Sequence, residues 1–255
     1  MRAARTVVVH PDAETLAQTT AARLLVHLVD AQSTHRPLHV CLTGGTVGIK
    51  TLAAVAESPL RDVVDWTGVH LWWGDERFLP DGHAERNETQ ARVALLDQLA
   101  IPSENIHAIP APGAPGISSP EDAAAAYAQT LAEHAGDDPE PGDDAGAAVP
   151  RFDVLLLGMG PDGHIASLFP GHAALGILDR TAVGVHGSPK PPPERVSLTY
   201  AAIEAAEEVW LVLAGADKAA PAARALAGDD VQRTPAAGAL GRSRTLWLMD
   251  TAAAG

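Results

Sequence analysis

The sequence has a single cysteine, Cys41, among its 255 residues, so no disulfide can form within the chain. A lone thiol is typical of a reducing compartment, and we therefore expect a cytoplasmic protein. Long hydrophobic runs are also missing, because no stretch approaches the roughly 20 apolar residues that cross a bilayer. The apolar run at residues 6–9 ends at His10, too early for a signal peptide. We therefore expect no membrane partner.

Basic residues are scarce as well. The chain has 18 lysines and arginines against 32 aspartates and glutamates, a formal net charge of -14. Such a chain has no basic field to displace counterions from DNA or RNA, which argues against a nucleic-acid partner. An anionic small molecule would need a local cluster of cations. Only three of the basic residues are lysines, namely Lys50, Lys190 and Lys218.

Apolar residues make up 46% of the chain, enough to bury a substantial core. We expect a single domain over residues 1–255. The segment 136–150 differs in composition, with five acidic residues and no basic one, and is interpreted as a solvated surface insertion.

Short apolar and β-branched runs alternate with helical patterns. Asp12 is the predicted N-cap of a first helix. Strands are predicted at 6–9, Leu38–Leu42, Val69–Trp73, 152–157, 209–214 and 245–249, and further helices at 47–56, 88–99 and 121–133. This alternation predicts an α/β fold with a mainly parallel sheet and helices on both faces. Ligands of such sheets bind at the carboxyl ends of the strands.

A glycine-rich loop, Thr43-Gly44-Gly45-Thr46, follows the second predicted strand and precedes a helix. The glycines allow close approach of a ligand, and a helix N-terminus offers free N–H groups that favour an anion. The threonine hydroxyls add donors. The loop suits a phosphate, although an ordinary strand-to-helix turn has the same features. It is not a Walker A loop, because no Lys-Ser/Thr follows at the required spacing.

Three charged residues, Asp75, Glu76 and Arg77, follow the third predicted strand. Arg77 is suited to a bidentate contact with a phosphate or carboxylate, and Asp75 or Glu76 to orienting a partner. A surface charge cluster is the alternative interpretation.

The strand predicted at 152–157 leads into a loop that contains three glycines and His164. The glycines match G-x-G-x-x-G, but Pro170-Gly171 follows too soon for the long helix of a dinucleotide site, so we reject that interpretation. His164 is suited to general acid–base chemistry near neutral pH, with a structural histidine as the alternative.

Two of the three lysines fall in segments that suit binding. Lys190 and Arg195 belong to a proline-rich stretch that we interpret as a stiff loop, and Lys218 follows the strand at 209–214. No metal site is predicted, because the chain has neither a CxxC nor a His-x-x-x-His pair on a predicted helix. The sequence also lacks the G-x-S-x-G motif of serine hydrolases, so a serine nucleophile is not predicted.

Taken together, these segments resemble the 6-phosphogluconolactonase family. The resemblance covers most of the chain and is most specific in the GMGPDGHIASLFPG and SPKPPPER stretches. Where that family usually has Ser-Gly-Gly-Ser-Thr-Pro, this chain has TGGTVG, and the 136–150 segment has no counterpart that we can place.

The resemblance implies a Rossmann-like three-layer α/β/α fold and hydrolysis of a sugar-phosphate lactone, 6-phospho-D-glucono-1,5-lactone, without a cofactor. His164 would act as the general base, with Asp75 and Arg77 assisting. The phosphate would bind to the 43–46 loop and Lys218, with Lys190 and Arg195 near the substrate. We expect a monomer.

Two alternatives remain open at this point. The glucosamine-6-phosphate deaminase/isomerase family is built on the same scaffold, but it has Asn-Gly-His followed by Asn-Glu-Pro where this chain has Asp162-Gly163-His164 and then SLFP. A non-catalytic sugar-phosphate sensor is the other, although such regulators usually carry a DNA-binding domain for which this chain has no spare length.

Overall fold

The computed structural model describes residues 4–136 and 148–255. Most of the acidic 136–150 segment lies outside the described residues, so its interpretation as a surface insertion stays a prediction. The strands are β1 (Ala4–His10), β2 (Leu38–Leu42), β3 (Val69–Trp73), β4 (Asp75–Arg77), β5 (Val154–Leu157), β6 (Ala182–Val185), β7 (Arg195–Leu198), β8 (Glu208–Leu213) and β9 (Arg244–Asp250). The helices are α1 (Ala13–Gln32), α2 (Gly45–Glu57), α3 (Asn87–Ala94), α4 (Pro120–Glu133), α5 (Tyr200–Ile203), α6 (Ala219–Leu226) and α7 (Thr251–Ala254).

A six-stranded sheet with the order β1-β9-β8-β5-β2-β3 forms the centre of the molecule, and all of its strand pairs are parallel. Every residue of β5 is buried, as expected for a strand that is covered on both faces. Helices flank this sheet, and the predicted three-layer α/β/α architecture is confirmed.

The first helix begins where the sequence indicates. The Asp12 side chain accepts a hydrogen bond from the backbone N of Thr15 at 2.7 Å, so Asp12 is its N-cap. The predicted apolar face of α1 is buried, and α1 packs against α2 and β9.

A small antiparallel sheet, β4-β7-β6, is the main feature that the sequence pattern did not indicate. Asp75 pairs with Ser197 and Arg77 with Arg195, so the segment with Arg195, which we interpreted as a loop, includes a strand. These strands have only three or four residues and contain charged side chains, so they lack the alternation that marks a half-buried strand. The sheet brings Asp75 and Arg195 close together.

The helix predicted at 88–99 is also shorter than expected. It ends at Ala94, because Leu95 has φ -148° and ψ -55°, outside the helical region, and a 3₁₀ turn over Leu96–Gln98 follows. Among the helices of the described residues, none has the length and apolar character needed to cross a membrane.

Candidate active site

A cavity of about 290 Å³ lies at the carboxyl ends of the central strands. All ten residues that the sequence singled out for catalysis or binding line it. The lining residues are Thr43, Gly44, Gly45, Thr46, Asp75, Arg77, Asn87, Gly158, Met159, Gly160, His164, Ala166, Lys190, Arg195 and Lys218.

A larger groove of about 650 Å³ lies at residues 224–233. Its two arginines, Arg224 and Arg233, pair with Asp229, and it contains none of the residues that the sequence singled out for catalysis or binding. The smaller cavity is therefore the candidate site.

The glycine-rich loop forms one wall of this cavity. Gly44 is the N-cap of α2, and no side chain of the described residues caps this helix. The first backbone N–H groups of α2 are therefore available to a ligand in the cavity. A Cβ on Gly44 would lie 1.9 Å from Oδ1 of Asn87, so no larger residue fits there without displacing Asn87. Gly45 has φ +79°, a conformation that favours glycine. The geometry is that of an anion-binding helix terminus.

Thr43 joins two loops. Its Oγ1 accepts a hydrogen bond from the backbone N of Gly158 at 3.1 Å, which ties the end of β2 to the end of β5. The hydroxyl proton of Thr43 remains available as a donor.

Glu76 holds α3 in place beneath the cavity. Its carboxylate accepts hydrogen bonds from the backbone N atoms of Asn87 at 2.7 Å and Glu88 at 2.9 Å, the first residues of α3. Burial raises the pKa of Glu76, although Arg86 and the backbone donors oppose that shift. Its role is to position α3, and Asn87 is the residue that reaches the cavity.

Asp75 contacts different residues from those expected. Its Oδ2 accepts a hydrogen bond from Ser167 Oγ at 2.7 Å, and its Oδ1 accepts one from Asn87 Nδ2 at 3.3 Å. Asn87 Oδ1 in turn accepts a hydrogen bond from Arg77 Nη1 at 2.9 Å. Asp75 therefore orients Arg77 only through Asn87, and the carboxylate beside His164 belongs to another residue.

That residue is Asp162. Its Oδ1 lies 2.6 Å from His164 Nδ1, and its carboxylate also accepts the backbone N–H of His164 at 3.3 Å. Burial alone would raise the pKa of Asp162, but the hydrogen bond and charge of His164 outweigh it and lower the pKa to about 2. Because the folded pKa is depressed, the stabilisation is present above the unfolded value of about 3.9 and is lost as the pH falls toward 2.

The ionised Asp162 fixes the tautomer of His164. With Nδ1–H donating to the carboxylate, Nε2 carries the lone pair, which is the arrangement of a general base. The His164 side chain is only 14% exposed, and its ring packs 4.5 Å from the ring of Phe169.

Gly160 leaves room for this pair. A Cβ at Gly160 would lie 2.1 Å from His164 Nδ1 and 2.4 Å from Asp162 Oδ1. Gly160, the second glycine of the G-x-G-x-x-G match, is therefore explained by the space that the His164 imidazole and the Asp162 carboxylate need, and not by a dinucleotide site.

Three cations, Lys190, Arg195 and Lys218, line the cavity. Arg195 is 5% exposed, donates to the carbonyl oxygens of Lys190, Pro191 and Pro192, and lies 3.9 Å from Asp75 Oδ2. Burial lowers the pKa of Lys190, Asp162 raises it, and Lys218 and Arg195 lower it. The mutual repulsion of these cations favours a bound anion among them.

Sequence reasoning left three contributors out of the predicted site. Asp162 stands two residues before His164, and that spacing was the available signal for it. Asn87 and Ser167 gave no local signal, because each is identified only by the tertiary contacts it makes to Asp75.

The expectation that the chain has no metal site was based on sequence spacing alone. Within the described residues, the group of three metal-ligating side chains that the structure brings together lies outside the cavity, at His70, His107 and His134.

Comparisons with known proteins agree with this architecture. The family model described as glucosamine-6-phosphate isomerases/6-phosphogluconolactonase matches residues 11–247. A 6-phosphogluconolactonase of Streptomyces coelicolor is 56% identical over 248 residues, covering 97% of this chain and 93% of the relative. One of Mycobacterium tuberculosis is 43% identical over 246 residues, covering 96% of each.

Among solved structures, the 6-phosphogluconolactonase of Trypanosoma cruzi has a TM-score of 0.84 and 25% identity, covering 100% of this chain and 97% of the other. The matched residues include every wall of the cavity. The chain therefore belongs to the family of glucosamine-6-phosphate isomerases and 6-phosphogluconolactonases.

Proposed function

We propose that this protein hydrolyses 6-phospho-D-glucono-1,5-lactone to 6-phospho-D-gluconate, a step of the pentose phosphate pathway. The observation that carries the proposal is that a base and an anion site line one cavity: His164 on one side, and the N-terminus of α2 with Lys218 on another. The full-length relatives named 6-phosphogluconolactonase support the same substrate.

In the proposed reaction, Nε2 of His164 takes a proton from a water molecule while the oxygen of that water bonds to the lactone carbonyl carbon. The bond between that carbon and the ring oxygen then breaks, and the imidazolium gives its proton to the departing oxygen. The ionised Asp162 stabilises the imidazolium between these steps. Acid–base assistance of this kind is worth roughly 10²–10⁴-fold.

The negative charge that develops on the carbonyl oxygen needs a donor. The backbone N–H groups of Gly158, Gly160 and Gly163 already donate to Thr43 Oγ1, His164 O and Gly160 O, so they are not free for this role. Lys190 is the better candidate, because its charge interacts with Asp162 beside the base. A preorganised donor at this position is worth about 3–4 kcal/mol.

The phosphate is proposed to bind at the α2 N-terminus with Arg77 and Lys218. Arg77 lies near this end of the cavity, because it donates a hydrogen bond to Oδ1 of Asn87, and that oxygen lies next to Gly44. Binding of the remote phosphate then holds the ring in register with His164.

Loss of the Lys218 ammonium is expected to weaken binding rather than chemistry. Lys218→Ala should raise KM roughly 10–100-fold, the equivalent of one charge-assisted hydrogen bond of about 1.5–3 kcal/mol, with a smaller change in kcat. Arg180→Ala is the control, because it removes one positive charge from an exposed side chain that does not line this cavity. Equal effects of both substitutions on KM would contradict the assignment.

A direct assay tests the function itself. Purified protein should hydrolyse 6-phosphogluconolactone faster than gluconolactone, measured by proton release after subtraction of spontaneous hydrolysis. Release of ammonia from glucosamine 6-phosphate would instead favour the deaminase alternative, and tight binding of the lactone without turnover would favour a sensor.

We also propose that the protein acts as a monomer in the cytoplasm. The cavity of a single chain already holds the proposed base, the α2 N-terminus and the cations, so the proposed reaction requires no residue from a second copy. Sedimentation at micromolar concentration tests the oligomeric state.

A further inference from the structure

Four histidines lie together at the end of the sheet opposite the candidate active site. His39 of β2 and His70 of β3 are register partners near the amino ends of their strands, and their ring centroids are 5.0 Å apart. His107 lies beside β3, with its backbone N donating to Leu71 O at 2.9 Å, and His134 is the C-cap of α4. These residues come from four separate segments of the chain, so only the tertiary structure brings them together.

The ligand atoms of three of these histidines converge. One ring nitrogen from each of His70, His107 and His134 lies within 4.8 Å of the other two. His70 Nδ1 and His107 Nε2 are 2.9 Å apart and share a hydrogen bond, so one of them carries a proton that a bound metal ion would displace. Three imidazoles on a tetrahedral zinc ion place their nitrogens about 3.3–3.4 Å apart, since each Zn–N bond is about 2.0–2.1 Å. The observed separation of 2.9 Å and the upper limit of 4.8 Å lie on either side of that value.

Surrounding groups hold the rings in orientations that suit metal binding. Nδ1 of His134 lies 2.9 Å from the carbonyl oxygen of Thr130, which fixes the proton on Nδ1 and leaves the Nε2 lone pair free. The ring of His107 is stacked on Trp72, with centroids 3.9 Å apart and an interplanar angle of 14°. A carbonyl acceptor behind a ligating histidine is the usual second partner of such rings.

His39 is the fourth histidine of the cluster, and its Nδ1 is not available as a metal ligand. Its Nδ1 accepts a hydrogen bond from Trp72 Nε1 at 3.1 Å, so that lone pair is occupied.

We propose that His70, His107 and His134 form a binding site for one divalent transition-metal ion, of the class Zn²⁺, Co²⁺ or Ni²⁺. Neutral imidazoles suit these ions, whereas Mg²⁺ prefers oxygen ligands. His70 and His134 are partly exposed, so the ion enters from solvent and water completes its coordination. The net charge of -14 attracts cations to the surface.

The site would join three elements: β3, the segment after Asn105, and the end of α4. His70, the second residue of β3, precedes Asp75 of the cavity by five residues, roughly 16 Å of extended chain at about 3.3 Å per residue. The ion therefore stabilises the fold, and it takes no part in the proposed reaction.

The test uses the full chain after chelation and desalting. Titration with CoCl₂ should give one visible d–d band typical of four-coordinate Co²⁺, saturating at one ion per chain. ZnCl₂ at a hundredfold excess over its Kd should raise Tm by about 5–10 °C, and MgCl₂ should leave Tm unchanged.

Two variants remove ligands, and two serve as controls. His134→Asn and His70→Gln should each lose the Co²⁺ band and the Zn²⁺-dependent shift, with circular dichroism confirming that they fold. His186→Ala, an exposed histidine outside the cluster, and His164→Ala, which removes the imidazole of the candidate active site, should keep both signals.

Retention of the Co²⁺ band by both ligand variants, or its loss in His164→Ala, would overturn the proposal, as would the absence of any band in the unmodified protein. None of these readouts uses lactone hydrolysis, so they stand whether or not the proposed function holds.

Discussion

His164→Ala is expected to lower kcat for lactone hydrolysis about 10²–10⁴-fold, because it removes the proposed base and leaves the binding groups in place. KM should change little, since the α2 N-terminus and the cations still bind the phosphate. Initial rates must be corrected for spontaneous hydrolysis, which sets the floor of the measurement. His186→Ala is the matched control, because it deletes an exposed imidazole outside the cavity.

Substitution of Asp162, the hydrogen-bond partner of His164, provides a second test. Asp162→Asn should reduce kcat by a smaller factor, because the amide no longer stabilises an imidazolium or fixes one tautomer. The double variant Asp162→Asn, His164→Ala should be no slower than His164→Ala alone, since the two groups act as one unit. Full activity in His164→Ala would show that another group activates the water.

Gly160→Ala is expected to lower kcat about 10²-fold with both members of the pair still present, because a displacement of about 1 Å at a reacting group is enough for a loss of that size. The added methyl group would lie 2.1 Å from Nδ1 of His164 and 2.4 Å from Oδ1 of Asp162. The imidazole must move, and the hydrogen bond to the carboxylate must break or lengthen.

Gly158→Ala in the same loop is the control for this substitution. Its Cβ would lie 3.8 Å from Thr43 Oγ1 and 4.0 Å from Gly44 O, which are ordinary contacts, so the loss of kcat should be much smaller. Thermal unfolding of both variants separates a local displacement from general destabilisation. Equal kcat values for the two alanine variants would mean that the position of the imidazole does not limit the reaction.

The central sheet could be predicted because each of its strands carries its own signal. Leu38–Leu42 and Val69–Trp73 were located at their observed bounds, and the strands at the end of the chain to within a residue. Buried parallel strands are continuous apolar runs, and the residues that follow them are brought to one edge of the sheet whatever the details of packing. For that reason ten of the fifteen residues that line the cavity could be predicted from the sequence.

The small antiparallel sheet could not be predicted in the same way. β4 and β7 are held by pairing between residues more than a hundred positions apart, and their charged side chains carry no periodic pattern. The partner that Asp75 orients could not be predicted for the same reason. The β4–β7 pairing places Asp75 against Ser167 and Arg195, and the turn at Gly163 places Asp162 against His164.

By itself, the sequence determined the order of the central-sheet strands and of the longer helices, the position of the glycine-rich loop at residues 43–46, and the presence of His164 on the glycine loop after β5, because these follow from local periodicity and spacing. Only the tertiary structure decided which carboxylate holds His164, which amide links Asp75 to Arg77, and that three distant histidines share one corner of the sheet. Contacts of a few ångströms between residues far apart in the chain depend on packing and strand register, and no local pattern in the sequence encodes them.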